Sequence, residues 1–488
     1  MNDFDLSDDP TGLTKTNDLL VITGNLILQS TNKFVINRLN ATLPPGNVYP
    51  LINYSGTLSG GLSNLIVSGL TGIPFALTNP PGQIALIVKN YRSPNTIRWT
   101  GGNGGNAWDL LITTNWLNGA VKDQFAPFDN VRFDNPGATN PTVNLTGDLN
   151  AASLIMDTTS NYTFNGSGGI IGACSLTKTN SGTLTINTVN NSFTGKTTIA
   201  GGMLVVSELD AIGFPSRLGN PPGGSTNLIL SGNATLRVTG ESYTDRGMTI
   251  NAGTNTIDVF NAADQLTVAD KIIGAGALQK LGAGTLALSV SNSYTGATFI
   301  RAGNLSLGGG NANQFALGPG PGGNGNTTVT LDNGTLTMFS NSGSYDTCYW
   351  NVIVPTNSTG TIYGDDRCNL YGTLTGGGIL NFNVYYVRTE LDGNWSAFTG
   401  QINLGTSAGG DFRIGNTYSY SNAAVNLADH INAYHISGAG VSLGAVSGGT
   451  LSSMSGTPWT VGAKNTNATY AGSIYGNSIT KIGSGTWT

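Results

Sequence analysis

Two stretches of this chain repeat each other and decide its fold. Residues 175–206 read SLTKTNSGTLTINTVNNSFTGKTTIAGGMLVV, and residues 277–307 read ALQKLGAGTLALSVSNSYTGATFIRAGNLSL. The aligned positions are Lys178 with Lys280, Thr183-Leu184 with Thr285-Leu286, Phe193-Thr194-Gly195 with Tyr294-Thr295-Gly296, and Gly202 with Gly303. A third copy opens at Ile479 and stops at Thr488, so the sequence is expected to be a piece of a longer chain. Internal repetition of this kind is typical of solenoids, in which each unit packs mainly on its neighbours.

Apolar residues alternate with polar ones inside each copy. Leu184-x-Ile186 and Leu286-x-Leu288 have the two-residue period of a strand with one face buried. Asn, Ser, Thr and Gly fill the segment that follows, and these residues favour turns. Each copy is therefore predicted to form strand, loop and strand, and stacked copies would bury a continuous core.

Two positions in each loop carry further predictions. Gly202 and Gly303 precede the second strand, where glycine permits a positive φ or a tight corner. The aromatic residue of each copy, Phe193 or Tyr294, is predicted to pack over the next turn of the solenoid.

The two copies resemble a known family on these residues. The order L-x-K-x-x-x-G-T-L, then F/Y-T-G-x-T-x-I, then G-x-L is that of the autotransporter-associated β-strand repeat, a strand-loop-strand repeat of bacterial surface passengers. One departure is Asn180, where the second copy has Gly282. The resemblance implies an all-β, elongated right-handed parallel β-helix or similar β-solenoid that is exported to the cell surface.

The composition agrees with a β-rich, uncharged exterior. Of 488 residues, 71 are Gly and only 10% are charged, with a net charge of −5. Long surface helices would need Glu, Lys, Ala and Leu on their exposed faces, where this chain has Asn, Thr, Ser and Gly, and a nucleic-acid partner would need a basic field, so both classes are disfavoured. No uncharged apolar stretch is long enough for a membrane helix. The N-terminus, MNDFDLSDDP, does not resemble a signal peptide, so the signal peptide and anchor are expected outside this fragment.

The chain divides into five regions by composition and pattern. We expect an N-terminal β region (1–93), a Trp-rich connector or subdomain (94–150), a β-solenoid with the two repeats (151–344), a β-rich spacer that continues the solenoid (345–470) and the start of a truncated repeat (471–488).

The Trp-rich region is a candidate glycan-binding site. Trp99, Trp108 and Trp116 lie close together in sequence, and indole faces stack on sugar rings. The alternative interpretation, which is favoured, is that the three rings pack in the core of a small subdomain.

Cysteine and histidine offer little chemistry. Cys348 and Cys368 are a candidate disulfide if the protein is exported, and the alternative is buried or free thiols. His430 and His435 are the only histidines and would face opposite sides of a strand, so no metal site is predicted. No catalytic residue and no cofactor are assigned.

Three function classes remain. The leading hypothesis is a non-enzymatic extracellular or cell-surface passenger, a stalk or adhesin-like surface that meets glycans or other cell-surface molecules. The alternatives are a carbohydrate-binding module and a polysaccharide-active enzyme, which would need converging carboxylates. The residues for the enzyme are Asp365-Asp366-Arg367 with Glu390, Asp392, Asp411 and Arg413.

Overall fold

The protein is all-β and divides into two compact units. The computed structural model describes residues 2–39, 43–70, 72–308, 315–319, 325, 327–338, 346–364, 368–384, 387–406, 410–414, 420–435, 440–456, 458–475 and 478–488. Unit 1 comprises Met1–Asp157, Tyr162–Ser175 and Thr188–Thr194, and unit 2 comprises Thr158–Asn161, Leu176–Asn187 and Gly195–Thr488. Short 3-10 turns occur at Leu62–Asn64 and Pro136–Thr139.

Unit 1 combines parallel and antiparallel strands. Its strands are β1 (Asn2–Leu6), β2 (Leu20–Ile22), β3 (Leu26–Ile27), β4 (Asn32–Arg38), β5 (Val48–Tyr54), β6 (Leu58–Ser59), β7 (Leu65–Ser68), β8 (Phe75–Thr78), β9 (Gln83–Val88), β10 (Thr96–Trp99), β11 (Ala107–Trp108), β12 (Trp116–Asn118), β13 (Val121–Asp123), β14 (Asn130–Asp134), β15 (Thr142–Leu145), β16 (Asp148–Leu149), β17 (Ser153–Asp157), β18 (Tyr162–Gly166) and β19 (Gly169–Ile170).

The antiparallel pairs of unit 1 lie at two places. β9 pairs antiparallel with β5 and β8, next to the parallel sheet β1–β4–β7. β12 pairs antiparallel with β10 and β13, whereas β10, β14 and β17 form parallel pairs. The β12–β13 hairpin therefore covers the outer edge of β10, a position where an open strand would otherwise expose unpaired backbone groups.

Unit 2 is a longer series of short strands. They are β20 (Ser175–Thr179), β21 (Thr183–Ile186), β22 (Thr197–Ile199), β23 (Met203–Val206), β24 (Leu228–Leu230), β25 (Thr235–Val238), β26 (Ser242–Thr244), β27 (Met248–Ile250), β28 (Thr254–Val259), β29 (Gln265–Val268), β30 (Ile272–Ile273), β31 (Ala277–Leu281), β32 (Thr285–Leu288), β33 (Thr298–Ile300), β34 (Asn304–Leu307), β35 (Thr328–Leu331), β36 (Thr335–Met338), β37 (Asp346–Cys348), β38 (Asn351–Val354), β39 (Thr359–Gly364), β40 (Cys368–Leu370), β41 (Leu374–Gly376), β42 (Ile379–Val384), β43 (Val387–Leu391), β44 (Gln401–Thr406), β45 (Gly410–Ile414), β46 (Tyr420–Leu427), β47 (Ile431–His435), β48 (Val441–Gly448), β49 (Ser453–Ser455), β50 (Trp459–Val461), β51 (Ser473–Ile474) and β52 (Ile479–Lys481).

The strands of unit 2 stack in parallel ladders. One ladder runs from β21 through β23, β25, β28, β31, β33, β35 and β38 to β41, a 12-stranded sheet runs from β26 to β52, and a 7-stranded sheet runs from β37 to β51. Their inward residues form columns; one column is Leu184, Leu204, Leu236, Ile257, Lys280, Ile300 and Leu331. The predicted parallel β-solenoid is confirmed.

The two sequence repeats occupy different faces of the solenoid. In the first copy β20 pairs with β22 in one sheet, and β21 pairs with β23 in the next sheet. In the second copy β31 joins the sheet that holds β21, and β32 joins the sheet that runs from β26 to β52. The repeat therefore specifies a corner between two faces, not one particular face.

The alternation predicted for the repeats is present in the strands. Thr183 and Thr285 point outward, and Leu184 and Leu286 are buried with no exposed surface. No helix in the described ranges is both long enough and apolar enough to cross a membrane.

The corner before the second strand requires glycine. Gly303 has φ +61°, and a Cβ there would lie 2.5 Å from the carbonyl oxygen of Gly282 and closer still to that of Gly284. Gly202 has φ +63° in the first copy. The predicted positive φ is thus present at both positions, and the neighbouring turn leaves no room for a side chain.

Gly303→Ala is expected to destabilise unit 2 by at least about 3 kcal/mol, because the added methyl combines backbone strain with a clash against fixed carbonyls. Gly213 is the matched control, since it also has a positive φ, +96°, but no atom within 4 Å of a built Cβ. Gly213→Ala should cost only about 1 kcal/mol. Urea unfolding followed by circular dichroism measures both, and equal costs would contradict the steric argument.

Candidate functional site

A buried lysine closes the corner of each repeat. The Nζ of Lys178 donates to the carbonyl oxygens of Thr179, Asn180 and Gly201 at 2.7, 2.9 and 3.4 Å. Two of these carbonyls belong to the turn that follows the lysine, and the third belongs to the next coil. We call this arrangement the lysine clamp.

The second copy repeats the clamp at equivalent atoms. The Nζ of Lys280 donates to the carbonyl oxygens of Leu281, Gly282 and Ala302 at 2.6, 2.8 and 3.3 Å. Asn180 and Gly282 both have left-handed φ values, +57° and +75°. The change from Asn180 to Gly282 therefore preserves the backbone conformation that presents this carbonyl to the lysine.

The ammonium groups of the clamp lie inside the solenoid. Lys178 and Lys280 have no exposed surface, and Lys280 stands in the inward column between Ile257 and Ile300. Burial lowers the pKa of Lys280 to about 8, opposed by the charge of Asp258. The amine is therefore mostly charged at neutral pH, and its three carbonyl acceptors account for its full set of donors.

A buried asparagine, missed in the sequence motif, lies in the loop between β21 and β22 of the first copy and between β32 and β33 of the second copy. The Oδ1 of Asn191 accepts the backbone N–H of Ile170 at 2.9 Å, and the Oδ1 of Asn292 accepts that of Ile272 at 2.7 Å. The Nδ2 of Asn292 also donates to the carbonyl oxygen of Ala316 at 2.6 Å. The signal was present in the sequence, because both asparagines precede the aromatic residue by two positions.

The aromatic and threonine positions of the motif also serve packing and backbone bonding. Phe193 and Tyr294 are buried, and the hydroxyl of Tyr294 lies 2.7 Å from the Oγ1 of Thr298. The N–H of Thr194 donates to the carbonyl oxygen of Gly172, and that of Thr295 donates to Gly274.

The two glycines that follow these threonines lie in the same loops. Gly195 precedes β22, as Gly296 precedes β33. A Cβ at Gly296 would clash with the carbonyl oxygen of Gly276.

A further corner of the same kind lies at Phe398-Thr399-Gly400. The N–H and Oγ1 of Thr399 both donate to the carbonyl oxygen of Gly376, at 2.9 and 3.2 Å, as those of Thr194 do to Gly172 at 2.8 and 3.3 Å. Phe398 is fully buried. The sequence signal is the string F-T-G, which stands here without the lysine and was not recognised as a copy.

The three tryptophans form an aromatic core in unit 1. Trp99, Trp108 and Trp116 have no exposed surface, and the ring centroids of Trp99 and Trp108 lie 5.0 and 5.3 Å from that of Trp116. Phe125 and Phe133 complete the cluster within 5.7 Å of Trp108. Most of the contacts are edge-to-face or tilted, which is the favourable arrangement for aromatic rings.

The polar side chains next to the tryptophans form hydrogen bonds within the protein. The Oδ1 of Asp109 accepts the N–H of Thr113 at 2.8 Å, and the Nδ2 of Asn115 donates to the carbonyl oxygen of Ala107 at 2.7 Å. Sugar stacking on the indoles would require these rings to leave the core, because none of the three has an exposed face. The glycan-binding role of the three tryptophans stays a prediction.

The remaining candidates lie in unit 2. His435 is buried in the inward column beside Ile414, whereas His430 is exposed in a turn with φ +65°. Asp365-Asp366-Arg367 lies outside the described residues. Across the described ranges, no group of three or more His, Cys, Asp or Glu is placed to hold a metal ion.

The candidate disulfide stays a prediction. Neighbouring strands pair Cys348 with Leu370 and Asp346 with Cys368. The two cysteines are therefore on adjacent strands and two residues out of register. The side chain of Cys368 lies outside the described residues.

Comparisons with known proteins agree with this architecture. The geometry defines the class of protein: a solenoid whose corners are built by a strand-loop-strand motif. The family model of the passenger-associated-transport-repeat matches residues 176–206 and 278–307, which hold both lysine clamps. The chain thus contains two copies of the passenger-associated-transport-repeat.

One curated relative is similar over a limited length. The adhesin BmaC autotransporter of Brucella suis biovar 1 (strain 1330) is 46% identical over 130 residues, which are 26% of this chain. The chain spans only 4% of the length of that relative. No solved structure matches the chain.

Lys280→Met is expected to destabilise unit 2 by about 2–4 kcal/mol, because it leaves three carbonyl oxygens without their donor. Lys481 is the matched control: its Nζ donates to the carbonyl oxygens of Ile482 and Gly483, but its side chain is exposed. Lys481→Met should change stability by less than about 0.5 kcal/mol. Chemical denaturation compares the two, and an unchanged midpoint for Lys280→Met would show that the clamp is dispensable.

Trp108→Ala is expected to cost about 3–5 kcal/mol, because it empties the centre of the aromatic core of unit 1. Ile112→Ala, at a side chain that is 69% exposed in the same segment, should be neutral. Near-ultraviolet circular dichroism and thermal unfolding report the loss. Stability equal to that of the parent protein, together with lost retention on a glycan column, would instead indicate a ligand contact at Trp108.

Proposed function

We propose that the chain is part of a non-enzymatic, extracellular or cell-surface passenger that acts as a stalk or adhesin-like surface. The repeats support an autotransporter passenger, and the name of the curated relative supports adhesion as its role. A bacterial cell surface is the location that this class implies.

The proposal rests on the hydrogen bonds that the polar side chains of the motif form. The ammonium groups of Lys178 and Lys280 and the amides of Asn191 and Asn292 bind backbone groups of the same or the neighbouring coil. All four side chains are buried. Residues that could otherwise act on a substrate are thus committed to building the scaffold, as expected for a structural passenger.

The outer faces provide neutral hydrogen-bonding groups. The Nδ2 of Asn403 donates to the Oδ1 of Asn381 at 2.8 Å on the neighbouring strand, and the Oγ of Ser447 donates to the Oδ1 of Asn426 at 3.0 Å. Such ladders place amides and hydroxyls at the spacing of the strands, about 4.8 Å. A surface of this kind suits contact with hydrated partners at a cell surface.

Beads coated with the purified chain are expected to adhere to cultured epithelial cells above the level of albumin-coated beads, and soluble chain should compete. Microscopy counts the bound beads, and a reducing-sugar assay on the medium follows hydrolysis of the cell-surface glycans. Adhesion no higher than that of albumin would contradict the adhesin-like role. Release of sugar that depends on the chain would instead identify an enzyme.

A further inference from the structure

The outer face of the 7-stranded sheet carries a group of aromatic and charged side chains that the repeat motif does not use. Glu390 on β43 lies opposite Arg413 on β45, and Arg413 lies opposite Tyr434 on β47. Tyr371 comes directly after β40, and Tyr349 comes directly after β37, the strand that pairs with β40. We call these five residues the tyrosine ridge.

The two tyrosines at one end of the ridge are held in a fixed arrangement. The rings of Tyr349 and Tyr371 are 5.7 Å apart at 73°, an edge-to-face contact, and Tyr349 is 39% exposed. The hydroxyl of Tyr371 donates to the Oε2 of Glu390 at 2.8 Å. The backbone N–H of Glu390 in turn donates to the Oδ1 of the buried Asn369 at 2.9 Å. The ring is therefore oriented before any ligand arrives.

The centre of the ridge presents planar hydrogen-bonding groups of opposite sign. Glu390 and Arg413 are both partly exposed on neighbouring strands. Arg413 forms no ion pair with any of the described residues. Its Nε is buried, so only the outer end of the guanidinium can face a ligand. The terminal nitrogens of Arg413 and the second carboxylate oxygen of Glu390 can thus bind adjacent hydroxyl groups of a ligand.

A second row of polar groups lies beside the ridge on the same sheet. The Nδ2 of Asn432 donates to the Oδ1 of Asp411 at 3.0 Å. The hydroxyls of Ser453 and Ser455 both donate to the Oδ1 of Asn432 at 3.0 Å. This row orients further acceptors and donors along the direction that crosses the strands.

We infer that the tyrosine ridge binds an extended, uncharged polysaccharide laid across the strands. This inference rests on the proposed adhesin-like function and names its ligand class. Aromatic rings supply apolar faces for the C–H face of a sugar, and the Glu390 and Arg413 groups match its hydroxyls. The opposite charges of the pair give no net attraction for a polyanion. The strand spacing of about 4.8 Å is close to the length of one pyranose unit, so one sugar ring would meet each strand.

Affinity electrophoresis tests the inference with named probes. The purified chain is run through native gels that contain mannan, starch or hydroxyethyl cellulose, with alginate as the acidic comparison. At least one of the three uncharged polymers should retard the chain. Tyr349→Ala and Tyr371→Ala should weaken that retardation at least about tenfold, because each removes an aromatic stacking surface.

Two further variants separate a ligand contact from a folding defect. Tyr243→Ala removes a tyrosine that is 56% exposed on another sheet of unit 2, and it should leave the dissociation constant within about twofold. Tyr371→Phe keeps the ring but removes the bond to Glu390, so it should weaken binding less than Tyr371→Ala. Circular dichroism verifies that each variant is folded.

Three results would overturn the inference: no retardation by any uncharged polymer, retardation by alginate alone, or an equal loss for Tyr243→Ala. The bead assay distinguishes this failure from failure of the proposed function. Beads that still adhere to cells when coated with the Tyr349→Ala chain would leave an adhesin-like role in place without the ridge. Beads that never adhere would remove the role itself.

Discussion

Pairing of backbone groups between successive coils is the constraint on which the rest of the structure depends. A parallel solenoid satisfies its strands by stacking, but every corner leaves carbonyl groups that point away from the ladder. In the two repeats the lysine clamp binds three of these carbonyls at each corner, and the Asn191 and Asn292 amides bind the neighbouring coil. Burying an ammonium is costly unless hydrogen bonds replace its water, and here carbonyl oxygens do so. The motif is therefore conserved between the two copies for a hydrogen-bonding reason.

The Trp-rich segment meets a related constraint within unit 1. A stack of parallel strands has an outer edge whose backbone groups would remain unpaired. The β12–β13 hairpin covers the edge strand β10, and the indoles of Trp99, Trp108 and Trp116 fill the space beneath it. The concentration of tryptophan that suggested a binding site is thus used as core, because large rings fill the volume beneath the hairpin.

Polar side chains have different roles inside the solenoid and on its outer faces. Inside, the lysines and asparagines of the two repeats bind the backbone. Outside, charged and amide side chains lie on the faces of the parallel sheets. On the 7-stranded sheet this leaves Tyr371, Glu390 and Arg413 side by side, on strands that are distant from the two repeats in sequence. A scaffold with a regular spacing can therefore acquire a binding surface by substitution on an outer face without altering its corners.

The sequence by itself determined the local structure: the alternation at Leu184 and Leu286 gave the buried strand faces, and Gly202 and Gly303 gave the corners, because strand period and positive φ are properties of a few adjacent residues. The lysine could be found as a repeated letter, but its role could not, because its third acceptor lies in the next coil. Tertiary structure alone decided which solenoid face each copy occupies, since that depends on the number of strands between the copies. It also decided that the tryptophans are buried and that Glu390 contacts Tyr371, because both outcomes depend on which strands lie side by side. The alternation of side chains along one strand does not determine which strand pairs with it.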